Sequence, residues 1–223
     1  MSDSDSFIEE VTEEVRRDRL FLMFRRYGWI AIAAIVLIVA GAAWNEYSKA
    51  QTRAAAESLG DGIIAALAAN DPAERAIALS EVETDSAGGE AVVNLLIAAA
   101  EVNSGETAGA VARLNQIATN GDLPEIFRQI ASFKALTMQT DSMPAAERRV
   151  QFEALAQPGA PLRLLAEEQL ALIDVSEDEV DAAVVRLQAI LDDAEVTSDL
   201  QQRVSQLMVA LGATPQVPSR IQG

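Results

Sequence analysis

Four groups of neighbouring carboxylates, Glu9-Glu10, Glu167-Glu168, Glu177-Asp178-Glu179 and Asp192-Asp193, are the residues of this chain whose type and spacing come closest to chemistry. Clustered oxygens coordinate hard cations such as Ca²⁺, yet none of the groups has the ligand spacing and central glycine of an EF-hand loop. Most read as solvated helix faces, or as acids in first turns, where the helix dipole favours negative charge. The chain contains no histidine and no cysteine. Their absence removes the commonest general base, any thiolate nucleophile, the nitrogen and sulfur ligands of transition metals, and a disulfide framework. No HExxH, GxGxxG, P-loop or nucleophile elbow occurs, and Gly60-Asp61-Gly62 is too short to cradle a phosphate. The expectation is a protein that is not an enzyme, with no cofactor and no metal.

The elements that would position these residues are helices. Half of the 223 residues are apolar and only 4% are aromatic. Alanine and leucine dominate, and β-branched alternation is nearly absent outside one uncharged run, so the fold class expected is all-α. A net charge of −17, with no basic patch or stacking platform after Arg53, argues against nucleic acid as a partner.

The uncharged run covers residues 27–45. At 1.5 Å per residue these make roughly 28 Å of helix, close to the hydrocarbon thickness of a bilayer. Tyr27, Trp29, Trp44 and Tyr47 mark its two ends, where amphipathic rings favour the headgroup level. Arg16, Arg17, Arg19, Arg25 and Arg26 precede it, against Lys49 and Arg53 after it. The positive-inside rule then places the N-terminus in the cytoplasm and the acidic bulk across the membrane. A buried core helix and a signal peptide cleaved at Ala40-Gly41-Ala42 are the competing readings. A core helix needs neither aromatics at both ends nor one-sided arginines, and a signal peptide rarely opens with a long acid-rich segment. Arg25, Arg26, Tyr27, Trp29, Trp44 and Tyr47 are therefore the expected anchor residues. Ahead of the span, residues 6–24 predict a helix capped by Ser6, with Ile8, Val11 and Val15 as its stripe and Glu13 paired to Arg17. This tail 1–26 suits a docking helix, a helix lying on the anionic leaflet, or a solvated extension of the span.

Beyond the span the helix continues towards Asn70, weakened at Gly60 and Gly62. Breaks follow at Asn70-Asp71-Pro72, Asp85-Ser86-Ala87-Gly88-Gly89, Asn103-Ser104-Gly105, 120–124, 141–144, 157–161 and Ser176, cutting residues 46–212 into short helices with tight turns. The octamers AVARLNQI (110–117) and AVVRLQAI (183–190) match at an offset of 73. Apolar pairs at i,i+3, namely Leu79 and Val82, Leu114 and Ile117, Phe152 and Leu155, Leu187 and Ile190, recur at spacings of 35, 38 and 35. These spacings suit helix pairs of the tetratricopeptide type, with Gly105 and Ala110 as small turn and packing residues and Arg148 replacing alanine in the third unit. Residues 197–211 supply a closing helix, and 213–223 are expected to be disordered.

The order FIEEVTEEVRRDRLFLMFRRYGW, then an apolar anchor, then alanine-rich helix pairs, resembles the bacterial YfgM-like ancillary subunits of the Sec translocon, particularly their alphaproteobacterial relatives. EEVRRDRL and RRYGW carry the most specific part of the likeness. The resemblance implies a single-pass inner-membrane protein with a cytoplasmic tail and a periplasmic tetratricopeptide-like helical-hairpin solenoid. Its implied partners are the translocon channel subunits, a membrane-anchored periplasmic chaperone and exported client proteins. Some relatives are linked to stress signalling through the tail, and a scaffold for another envelope complex uses the same parts. For client binding, exposed apolar surface is the requirement, and Phe127, Phe133 and Phe152 are the candidates, although their apolar helical surroundings equally suit the core.

Overall fold

Gly60 and Gly62 do not stop the first helix, because nothing around them supplies a cap: α1 (Asp3–Leu67) runs through both. The computed structural model describes residues 3–216, with side chains from Arg25 onward apart from those at 27, 28 and 31. The chain divides into two units, one up to Ser58 and one from Leu59.

In the first unit α1 begins at Asp3, so Ser6 lies inside the helix and is not its cap. The expected Ile8, Val11 and Val15 stripe and the Glu13–Arg17 pair fall outside the described side chains. Ile32, Ile35, Val36, Leu37, Ile38 and Val39 are all exposed in this unit. Among the described residues no helix is long and apolar enough to cross a membrane. The span expected at 27–45 includes Tyr27, Gly28 and Ala31, which lie outside the described side chains.

The second unit is a row of helices, each packed mainly on its neighbours in sequence, the arrangement of a helical-hairpin solenoid. After the end of α1 come α2 (Pro72–Ser80), α3 (Ala87–Asn103), α4 (Thr107–Thr119), α5 (Glu125–Met138), α6 (Ala145–Leu155), α7 (Arg163–Ser176), α8 (Val180–Asp192) and α9 (Ser198–Ala210). The first break works as its residues dictate. Asp71 Oδ1 accepts from the Ala73 and Glu74 amides at 2.9 and 3.1 Å, Pro72 opens α2, and Arg75 Nη2 donates to the Ala69 carbonyl at 2.9 Å, closing the previous helix. The expected loop at 85–89 is shorter than its glycines suggest. Ser86 caps α3 through the Gly89 amide, drawing Gly88 and Gly89 into the first turn. A Cβ at Gly89 would stand 2.9 Å from Leu59 Cδ2, so this glycine serves close packing.

Of the eight residues in the i,i+3 pairs, seven are buried; Val82 is half-buried and lies past the end of α2. The offset of 73 extends beyond the octamers without a gap. AER at 73–75 returns at 146–148, and α3–α4–α5 returns as α7–α8–α9. Gly105 and Asp178, which are 73 apart, both have positive φ, +90° and +61°. Each closes a helix in the same way. The Glu106 amide reaches the Glu101 carbonyl at 2.8 Å, and the Glu179 amide reaches that of Asp174 at 2.9 Å, the Schellman pattern. The solenoid is thus a two-hairpin unit used twice. Leu136 on α5 is buried, whereas Val209, its counterpart on α9, is 62% exposed, with no further helix packed on it among the described residues. Otherwise α9 caps the stack, and residues 213–216, expected in the disordered tail, turn back to α8, where Gln188 and the Gln216 backbone exchange two hydrogen bonds. The rest of that tail lies outside the described residues.

Candidate binding groove

Arginine is the residue that joins one helix of the second repeat to the next. Asp174, on α7 and only 1% exposed, accepts from Arg149 of α6 at 2.6 Å and from Arg186 of α8 at 3.0 Å. Arg149 also pairs with Glu177, and Arg186 donates to Glu167 at 2.6 Å. Burial works to raise the pKa of Asp174, but the two guanidiniums outweigh it and hold the value below the ordinary carboxylate range. The bonds from Asp174 and Glu177 raise that of Arg149 in turn. Arg163 of α7 reaches Asp193 and Glu195 at 2.9 Å each, and Arg203 of α9 forms a two-pronged pair with Glu168 of α7 at 3.0 and 2.8 Å.

The carboxylate groups noted in the sequence are therefore distributed among arginines and helix ends. Glu167, Glu168, Glu177 and Asp193 take guanidiniums, Asp178 holds the left-handed turn, and Asp192 accepts from Gln188 at 3.0 Å. Among the described residues no group of three or more acids converges as a metal site. Glu9-Glu10 lies outside the described side chains. Arg25, Arg26, Trp29, Trp44 and Tyr47 are exposed along α1, with the Trp44 and Tyr47 rings 6.5 Å apart and the Tyr47 hydroxyl accepting from Gln51 at 2.8 Å. Tyr27 lies outside the described side chains. Phe152 is fully buried and meets Phe133 edge-on at 5.7 Å, and Phe127 packs beside a buried cluster. The phenylalanines make core, not a client surface.

Between α7 and α8 lies an open furrow of about 680 Å³. Leu164, Ala182, Val185, Ala189 and Ile190 give it an apolar floor, and Arg163, Glu167, Asp181, Arg186 and Asp193 its polar edges. Val185 is 71% exposed there. The first repeat has the same furrow at the same register, between α3 and α4, but with about 80 Å³. Its framework is shared: Arg113 donates to Glu101 at 3.2 and 2.8 Å and to Asn94 at 2.9 Å, just as Arg186 serves Asp174 and Glu167. Its lining differs. Gln116 stands where the second repeat has Ala189, Ala112 where it has Val185, and Glu90 where it has Arg163. Sequence reasoning passed over this groove, although the mismatched lining positions within and around the two octamers were its visible signal.

Compared with protein-family models, curated proteins and solved structures, the chain gives no match to any of them.

Proposed function

We propose that the chain is a non-enzymatic inner-membrane protein anchored by residues 27–45, with its tail in the cytoplasm and its helical-hairpin solenoid in the periplasm. It acts as an ancillary subunit of the Sec translocon and passes newly exported chains to periplasmic chaperones. The observation that carries the anchoring is the run of exposed aliphatic side chains at positions 35–39 of α1, between Trp29 and Trp44. Exposed apolar surface costs about 25 cal/mol per Å² in water, and a bilayer removes that cost. Arginines on one side of the run set the orientation. The solenoid supports the non-enzymatic part, because a row of hairpins offers extended surface for protein partners. The translocon assignment rests on the resemblance carried by EEVRRDRL and RRYGW. Tethering makes a weak surface useful, since confinement raises its effective concentration near the channel exit.

The absence of cysteine makes the topology directly measurable. Single cysteines placed at Ser4 and Asn103 are treated with a membrane-impermeant maleimide in intact spheroplasts. Labelling at 103 alone, with position 4 reacting only after lysis, is expected; labelling at both, or the reverse pattern, refutes the topology.

A further inference from the structure

The α7–α8 furrow is built for an occupant that its counterpart in the first repeat cannot take. We propose that it binds an extended segment of a partner protein in which a lysine or arginine sits beside aliphatic residues. This inference rests on the reading of the chain as an interaction scaffold and names the ligand class for that reading.

Two observations converge. One is the divergence between copies. The residues that hold the helices together are kept at the offset of 73: Leu114 and Leu187, Ile117 and Ile190, Arg113 and Arg186. Change falls on the lining, where Ala189 in place of Gln116 opens space and Val185 in place of Ala112 adds apolar floor, taking the furrow from about 80 to about 680 Å³. Pockets of roughly 300–1,000 Å³ bury a small ligand, and an open furrow of this size accommodates a few side chains of an extended chain.

The other observation is charge. Arg163 and Arg186 each lie between two carboxylates, Asp193 with Glu195 and Glu167 with Asp174. Asp181, on the lip in the first turn of α8, adds a further carboxylate. Among the lining residues Glu167, Asp181 and Asp193 stand against Arg163 and Arg186, which leaves a negative rim around an apolar floor. Such a rim repels acidic segments and favours a cation anchored next to aliphatic side chains.

The test uses the full chain in nanodiscs of neutral lipid and a fluorescein-labelled decapeptide alternating lysine with leucine and valine. Its counterpart with glutamate at every lysine is the control, and binding is read by polarisation. The lysine peptide should bind at least about tenfold more tightly than the glutamate peptide. Ala189→Gln, which installs the first repeat's own residue at an exposed position, should weaken binding by about tenfold with an unchanged melting curve, and Asp181→Lys should weaken it and reduce its salt dependence. No saturable binding, equal affinity for the two peptides, or Ala189→Gln matching the parent chain overturns the assignment. No translocon is present in the assay, so its failure and a failure of the translocon reading are separate results.

Discussion

Arg149 on α6 and Arg186 on α8 grip the two oxygens of one buried carboxylate, Asp174 on α7, at 2.6 and 3.0 Å. The same residue ends its helix, because its carbonyl accepts the Glu179 amide. One side chain thereby ties three consecutive helices, adding a shared polar link to the packing of neighbours.

Removing that charge takes one of two carboxylates from each arginine and leaves Arg149 with Glu177 and Arg186 with Glu167. Asp174→Asn should cost about 2 kcal/mol in urea unfolding, less than the usual 3–5 for a broken buried pair because both arginines are partly exposed. Glu177→Gln, at the exposed end of the same network, should cost under about 1 kcal/mol. The pH dependence follows from the lowered pKa of Asp174. The folded state binds its proton less readily than the unfolded chain does, so the contribution is complete above the ordinary value of 3.8 and is lost as the pH falls from there through the lowered value. Unfolding curves measured down the acid limb should show this loss, and Asp174→Asn should remove it.

Gly105 and Asp178 do the same task with different residues. An L-residue pays about 1 kcal/mol for a left-handed conformation, and glycine avoids most of it. Asp178→Gly should therefore stabilise the chain by up to about 1 kcal/mol, and Gly105→Asp should destabilise it by a similar amount. Thermal unfolding of the two single variants checks both signs.

Arg148 is only 7% exposed, and its Nε has no hydrogen-bond partner, whereas Ala110 and Ala183 fill that register in the second and fourth hairpins. A buried donor without an acceptor is destabilising. Arg148→Met keeps the stem and removes the donor, so stability should be unchanged or higher by about 1 kcal/mol. Arg149→Met, one residue on, should cost about 2 kcal/mol because it strips Asp174 of a partner. Denaturation midpoints of the pair distinguish an idle arginine from a working one.

Much of this solenoid is legible in the sequence because its helices end on residues with local reasons to end them. Asp71-Pro72, Gly105 and Thr197 act through caps and backbone conformation that need no tertiary partner. Gly88-Gly89 misleads because the local Ser86 cap draws both glycines into the helix, where Gly89 meets Leu59, a contact that depends on the folded neighbours. The duplication shows as runs of matching residues only in AER and the two octamers, with scattered identities such as Val102 and Val175 or Glu106 and Glu179. Elsewhere it persists as equivalent geometry, with Asp178 for Gly105 and Asp174 for Glu101, which no residue match reveals. The phenylalanines drew attention as aromatic surface, but Phe133 and Phe152 meet in the α5–α6 seam and Phe127 packs on the cluster of α3, α4 and α5. The groove is the least legible feature, since its walls come from two helices and its size turns on alanine or glutamine at one position.

Photocross-linking in native membranes tests the proposed placement beside the translocon. A photoreactive residue goes singly at Ala33, Leu37 and Ile64; Ile64 is exposed, whereas its neighbour Ala66 is buried. The account predicts attachment to translocon channel subunits from Ala33 or Leu37 and to exported chains or a periplasmic chaperone from Ile64. Reproducible attachment to a different envelope complex, with none to channel subunits, would contradict it.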